Sequence, residues 1–153
     1  AMGRPEGPGC YCAVNHQLRL IIDTITKNYD ITIIDAEAGL EHLSRRTIRD
    51  VDFMLMVTDA TKKGLETAKR IRDIARDLEI KVKKMYVVAN KITENEMEKM
   101  EKYAEELGLN IIGAIPFDKN IASYDLDGKS LLELPDDSPS VLAIEEIAKK
   151  LEI

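Results

Sequence analysis

Cys10 and Cys12 are the only two cysteines in the sequence, one residue apart in EGPGCYCAVNH and directly behind a Gly-Pro-Gly turn. Thiolates are soft ligands that prefer zinc, nickel or copper(I) to magnesium. A structural zinc takes four ligands in a tetrahedron, and one C-x-C supplies two. Nearby helpers are poor, because His16 falls on the segment read as the following helix and His42 is distant in the chain. Symmetry is the economical completion: two copies bring two pairs together across a twofold axis as a four-thiolate site. The turn would expose the pair, and the helix start behind it would favour thiolate. Two other uses stay open on these residues alone. They are a pair of incidental thiols, and a strained, labile disulfide with a redox role.

Three further positions follow apolar runs. Asp35 ends ITIID, with Gly39 four residues on. An acid at a strand end can hold magnesium through water with a phosphate beyond it, and a glycine lets the backbone approach that phosphate. The same aspartate can equally be a helix cap. Asn90, followed by Lys91, ends a second run; its amide donates and accepts, and so can pair with a purine edge or simply make a turn. Pro116 in GAIPFD can wall a base or stop a strand. The sequence contains neither G-x-x-x-x-G-K-[ST] nor G-x-G-x-x-G. The Gly-Lys-Ser at 128–130 follows a loop and lacks the earlier glycine, so it is not a phosphate loop.

The elements that must position these residues are legible as an alternation. The runs at 31–35, 53–58, 84–90 and 110–116 are short, β-rich and not strictly alternating, as parallel strands covered on both faces are. Between them lie segments of helical period. Val14, Leu18, Ile21 or Ile22, and Ile25 share one face; Leu65, Ala68, Ile71, Ala75 and Leu78 share another. Met97, Met100, Ala104 and Leu107 mark a third helix, opened by a capping box at Thr93 and Glu96 and closed by Gly108. Ser138-Pro139 opens the last one. DLDGKSLLELPDDSPS is a long connection and a candidate functional loop. The pattern predicts βαβ units and one α/β domain over 1–153, with a mostly parallel sheet between helical layers. Ligands of such a sheet bind at the C-terminal ends of its strands.

Composition bounds the functions. The chain has 153 residues, 44% hydrophobic and 33% charged, with a formal net charge of −6. Those values describe a folded domain and argue against a surface that coats nucleic acid. No apolar run is long enough to span a bilayer, and AMGRPEGPG lacks the apolar core of a signal peptide. Two cysteines make no disulfide framework, which points to the cytoplasm. No membrane and no nucleic-acid partner is expected.

GRPEGPGCYCAVNHQLR, DAEAGLEHLSRRT, VANKI, GAIPFD and DLDGKSLLELPDDSPSV together resemble the nickel-insertion accessory ATPases of carbon monoxide dehydrogenase. These CooC-type proteins belong to the MinD-like P-loop ATPases with a deviant Walker motif. The resemblance spans almost the whole chain. Its C-x-C and EAG-EH stretches are specific; NK and IP are shared by much of the class. It implies a P-loop-NTPase-like, Rossmann-like three-layer sandwich. It also implies Asp35 as the Walker B-type acid near magnesium and Gly39 in the switch that senses the terminal phosphate. Asn90 with Lys91 would meet the adenine of ATP, Pro116 would border the base pocket, and Cys10 and Cys12 would be the metal pair. The implied assembly is a homodimer bridged by zinc or nickel, with carbon monoxide dehydrogenase or another nickel enzyme as recipient.

The family's N-terminal phosphate loop, signature lysines and switch aspartate have no counterpart here. The chain therefore reads as a C-terminal portion, truncated before the loop, that hydrolyses ATP negligibly alone. The family's first strand would lie beside ITIID. Without it, 31–35 and 53–58 must pair directly, leave a gap, or borrow a strand. The rival readings are an ATP-binding and -hydrolysing protein completed by another chain, and a plain α/β interaction module.

Overall fold

The computed structural model describes residues 12–36 and 51–153. The chain divides into two compact units, 1–49 and 50–153. In the first, helix α1 spans Cys12–Ile25, as the apolar spacing predicts. The Thr24 hydroxyl donates to the Leu20 carbonyl at 2.7 Å. A 3-10 turn over Thr26–Asn28 follows, closed by the Tyr29 N–H onto the Thr26 carbonyl at 3.2 Å.

The strand expected at 31–35 is not formed. Residues 31–36 carry no regular structure and are exposed, with Ile33 at 86%. No described residue pairs with their backbone. A β-rich composition fits a segment to a pleated, half-buried surface but makes no strand without a neighbouring ladder. The described sheet thus has three strands, not four.

The second unit alternates as expected. Its elements are β1 (Val51–Thr58), α2 (Lys62–Asp77), β2 (Val82–Ile92), α3 (Glu94–Glu106), β3 (Ile111–Pro116), α4 (Lys119–Leu126) and α5 (Pro139–Leu151). The strands lie in the order β1-β2-β3 and both pairings are parallel. Helix α4 is not marked by the apolar spacing. It takes up the start of the 125–140 connection, which a 3-10 turn at Leu131–Glu133 also shortens.

Three layers follow from alternation along β2. Val87 enters a core with Met56, Leu65, Ala68, Met100 and Ala104, under α2 and α3. Its neighbour Val88 enters a second core with Ile147 and Leu151 of α5. The capping box at the start of α3 is present: the Thr93 N–H and hydroxyl both donate to Glu96 Oε2, at 2.8 and 2.7 Å. These bonds, the hydroxyl's first, hold the Glu96 carboxyl below its ordinary range. Gly108 ends the helix at φ +64°, which glycine adopts without a Cβ penalty. Arg72 of α2 donates to the carbonyls of Leu107 and Gly108 at 2.9 and 2.8 Å, so one guanidinium serves the orphan carbonyls of the neighbouring helix.

Helix α5 seats directly on β3. A Cβ on Gly113 would stand 2.6 Å from Ile147 Cγ1. Gly113→Ala is expected to cost about 1–3 kcal/mol by overpacking, read as a lowered Tm in a thermal melt, and to cost less in an Ile147→Ala background, where the clashing Cγ1 and Cδ1 are absent. An unchanged Tm would mean that α5 does not depend on this contact.

Candidate functional site

All three strands of the second unit end on one side, the side where ligands of open parallel sheets bind. Thr58 lies opposite Ala89, Ala89 opposite Ala114, and Asn90 opposite Ile115. Thr58, Asn90 and Pro116 therefore sit close to level at this edge. The register slips between Asn90 and Ile92, so that Ile92 faces Pro116. The intervening Lys91 has φ +57°. A lysine in the left-handed region is costly and persists where its surroundings fix it, often beside functional groups. The slip works as a bulge, which re-aims the side chains around it. Asn90 and Pro116 are half-buried and Lys91 is exposed. Among the described residues, none hydrogen-bonds the Asn90 amide.

The exit of β1 is committed to a turn. The Thr61 hydroxyl donates to Asp59 Oδ1 at 2.6 Å. Its oxygen accepts the Gly64 N–H at 3.0 Å and so caps α2. A Cβ on Gly64 would collide with the Thr58 hydroxyl and Asp59 Oδ1. Only glycine lets the helix start so close to the strand end.

The exit of β3 is pinned by a buried carboxylate. Asp118 is 6% exposed. One of its oxygens accepts the Ser140 hydroxyl at 2.6 Å, the Ser140 N–H at 3.2 Å and the Ser138 hydroxyl. The other accepts the Asn120 N–H at 2.9 Å, capping α4. The Asn120 amide also donates to the Ser138 oxygen at 3.3 Å. One carboxylate thus caps two helices and ties the two ends of the 119–138 excursion together. The Ser138 and then the Ser140 hydroxyl hold its carboxyl down to about 2, against the opposing effect of removal from water.

At the opposite end of the sheet lies a cavity of about 300 Å³ whose lining includes Met56, Met85 and Leu109, with Arg72, Arg76 and Lys83. Helices α2 and α3 end here, where cations complement the negative end of the helix dipole. Arg72 is engaged by the α3 carbonyls and by Asp73, and Lys83 by Asp52.

The model of the CobQ/CobB/MinD/ParA nucleotide binding domain matches residues 18–132. The chain belongs to this nucleotide-binding family. It is 55% identical over 98% of its length to an uncharacterized ATP-binding protein of Methanocaldococcus jannaschii, of which it covers 59%. It is 35% identical over 84% of its length to the carbon monoxide dehydrogenase accessory protein CooC of Rhodospirillum rubrum, of which it covers 48%. Among solved structures, the MinD cell division protein of Aquifex aeolicus aligns with a TM-score of 0.74 at 21% identity, over 90% of this chain and 60% of that one. That likeness establishes the α/β, P-loop-NTPase-like fold. The chain spans about three fifths or less of each of these proteins.

Of the positions singled out by sequence, the family's sheet edge brings together Asn90, Lys91 and Pro116. Asp35 is exposed in the first unit. Gly39 and Cys10 lie outside the described residues. Cys12 opens α1, and its side chain lies outside the description as well. Among the described residues no three His, Cys, Asp or Glu side chains converge as a metal site. The sequence reading missed Asp118. Its signal was the aspartate before α4, a capping residue type, but its partners at 138 and 140 are brought to it by the tertiary fold.

The depressed titration of Asp118 gives a signed pH dependence. A carboxyl lowered by folding stabilises the fold above its unfolded value, and that contribution is lost as pH falls through the folded value. The window therefore runs from the ordinary 3.8 down to about 2. Asp118→Asn is expected to lower the Tm by several degrees at neutral pH, with the gap to wild type closing across this window. Thermal melts over a pH series check it. A gap independent of pH would mean that the charge is not what the serines hold.

Proposed function

We propose that this chain is the metal-binding and dimerising part of a nickel-insertion accessory ATPase of the CooC type. In that protein the occupancy of a nucleotide site is coupled to metal held between two copies. The observation that carries the nucleotide side is the grouping of Asn90, Lys91 and Pro116 at the ligand end of the sheet. A half-buried amide without a partner among the described residues suits the donor–acceptor edge of an adenine, and Pro116 supplies an apolar border beside it. Asp35 would hold magnesium through water, with Gly39 admitting the terminal phosphate. ATP with magnesium, when bound, would supply the phosphoryl chemistry. These 153 residues contain no G-x-x-x-x-G-K-[ST] sequence, so by themselves they are expected to hydrolyse ATP negligibly.

The metal side rests on the donor set and on likeness to CooC. Cys10 and Cys12 offer two soft thiolates, half of a tetrahedral site, and a second copy offers the other half. Zinc or nickel fits such a set. Nickel would be cargo, passed to carbon monoxide dehydrogenase or another nickel enzyme, and the protein would act in the cytoplasm.

A second reading is favoured by the free edge of β1. Its outer side has no partner among the described residues, and Leu55 and Val57 on it are exposed. An edge strand without proline, whose one charged residue is Asp52 near its start, invites another strand, so further polypeptide would complete an ATP-hydrolysing protein there.

Native mass spectrometry of reduced protein purified without chelator tests the proposal. The expected species is a dimer with one metal, splitting to metal-free monomers on chelation. Cys10→Ser with Cys12→Ser should abolish metal uptake and weaken the dimer. Stoichiometric metal in that double variant would sink the metal reading. Saturable ATP binding lost on Asn90→Ala would support the nucleotide site.

A further inference from the structure

Phe117 stands between two fixed points. Before it, Pro116 is in the ladder opposite Ile92. After it, Asp118 is clamped by Ser138, Ser140 and Asn120. The ring between them is nonetheless 57% exposed. Single exposed apolar residues are ordinary on a protein surface. This one differs in its place and its restraint. It follows directly on the strand end that lies beside Asn90, and its backbone is held on both sides. A ring held in this way binds a flat partner without losing further backbone freedom.

We propose that Phe117 is the stacking face for the purine base of a bound nucleotide, and that the Asp118 clamp is what positions it. The inference rests on the nucleotide-binding reading given above and adds two residues which that reading does not use. Asn90 would meet the hydrogen-bonding edge of the base, while the phenyl ring covers its face. Stacking on an aromatic ring is tolerant of base identity, because every base has a π-face. Phe117 therefore contributes affinity, and discrimination is left to the amide. Phe117 is a binding residue. Asp118 is a positioning residue that never touches the ligand.

The test uses the whole chain, with adenosine and ADP as probes and ribose 5-phosphate as the base-free control. The sequence contains no tryptophan, so F117W places a single indole reporter at the site. Phe117→Leu keeps an apolar side chain and removes the aromatic face. It should weaken adenosine and ADP about tenfold by calorimetry, with an unchanged thermal melt. The fluorescence of F117W should be quenched by adenosine and ADP and be indifferent to ribose 5-phosphate. Adding Asp118→Asn to F117W should weaken adenosine several-fold at a temperature where circular dichroism shows both proteins folded. Phe117→Leu binding as tightly as wild type, or an F117W signal indifferent to saturating adenosine, overturns the stacking role and leaves nucleotide binding standing. Unchanged adenosine affinity on adding Asp118→Asn overturns the positioning role of the clamp. Wild type that binds neither adenosine nor ADP overturns the nucleotide reading, and this role with it.

Discussion

Val87 and Val88 are adjacent in β2, are almost fully buried, and belong to different cores. That is the constraint of a parallel sheet: each face must be covered, because the crossovers that join parallel strands lie on them. Helices α2 and α3 cover one face and α5 the other. The same constraint sends every strand of the unit in one direction. Thr58, Asn90 and Pro116 therefore end on a common side, and the chemistry-bearing residues of three strands separated in sequence gather there.

The parts legible in the sequence are those whose causes are local. The α3 helix could be read end to end, because Thr93, Glu96 and Gly108 act within a turn of where they stand. The apolar faces of α2 and α3 obey the 3.6-residue period that buries Leu65, Ala68, Met100 and Ala104. What failed was non-local. The run at 31–35 has the composition of a strand, but its ladder would have to come from residues elsewhere. Lys91 gives no sign in its residue type of a left-handed backbone; the register of β2 against β3 requires it. Asp118 reads as an ordinary cap, and its second role appears only when Ser138 and Ser140 return to it. Helix α4 escaped because none of its residues is buried, so it has no apolar stripe to reveal it.

The two ends of the sheet are built to different standards. At the helix C-termini, Arg72 and Gly108 satisfy leftover carbonyls, and Lys83 is paired with Asp52. At the strand C-termini, the Asp59 turn and the Asp118 clamp are equally well satisfied, yet between them stand a strained lysine, an amide without a described partner and an exposed ring. Rigid flanks around unsatisfied groups are what a binding edge requires, since the ligand then meets geometry already fixed.

The order of strands in the second unit is also the order in which they are synthesised. Each new strand can add to an edge already present, and no later segment must be threaded between earlier ones. Contacts of this kind have short sequence separation and close early. Helix α5 is the exception. It covers the face that carries Val88, Ile112 and Ile115, and it is the last of these elements to leave the ribosome. Until Pro139–Leu151 have emerged, that side of the three described strands lacks its cover, and this unit is most exposed to misassociation in the interval between the synthesis of β3 and that of α5.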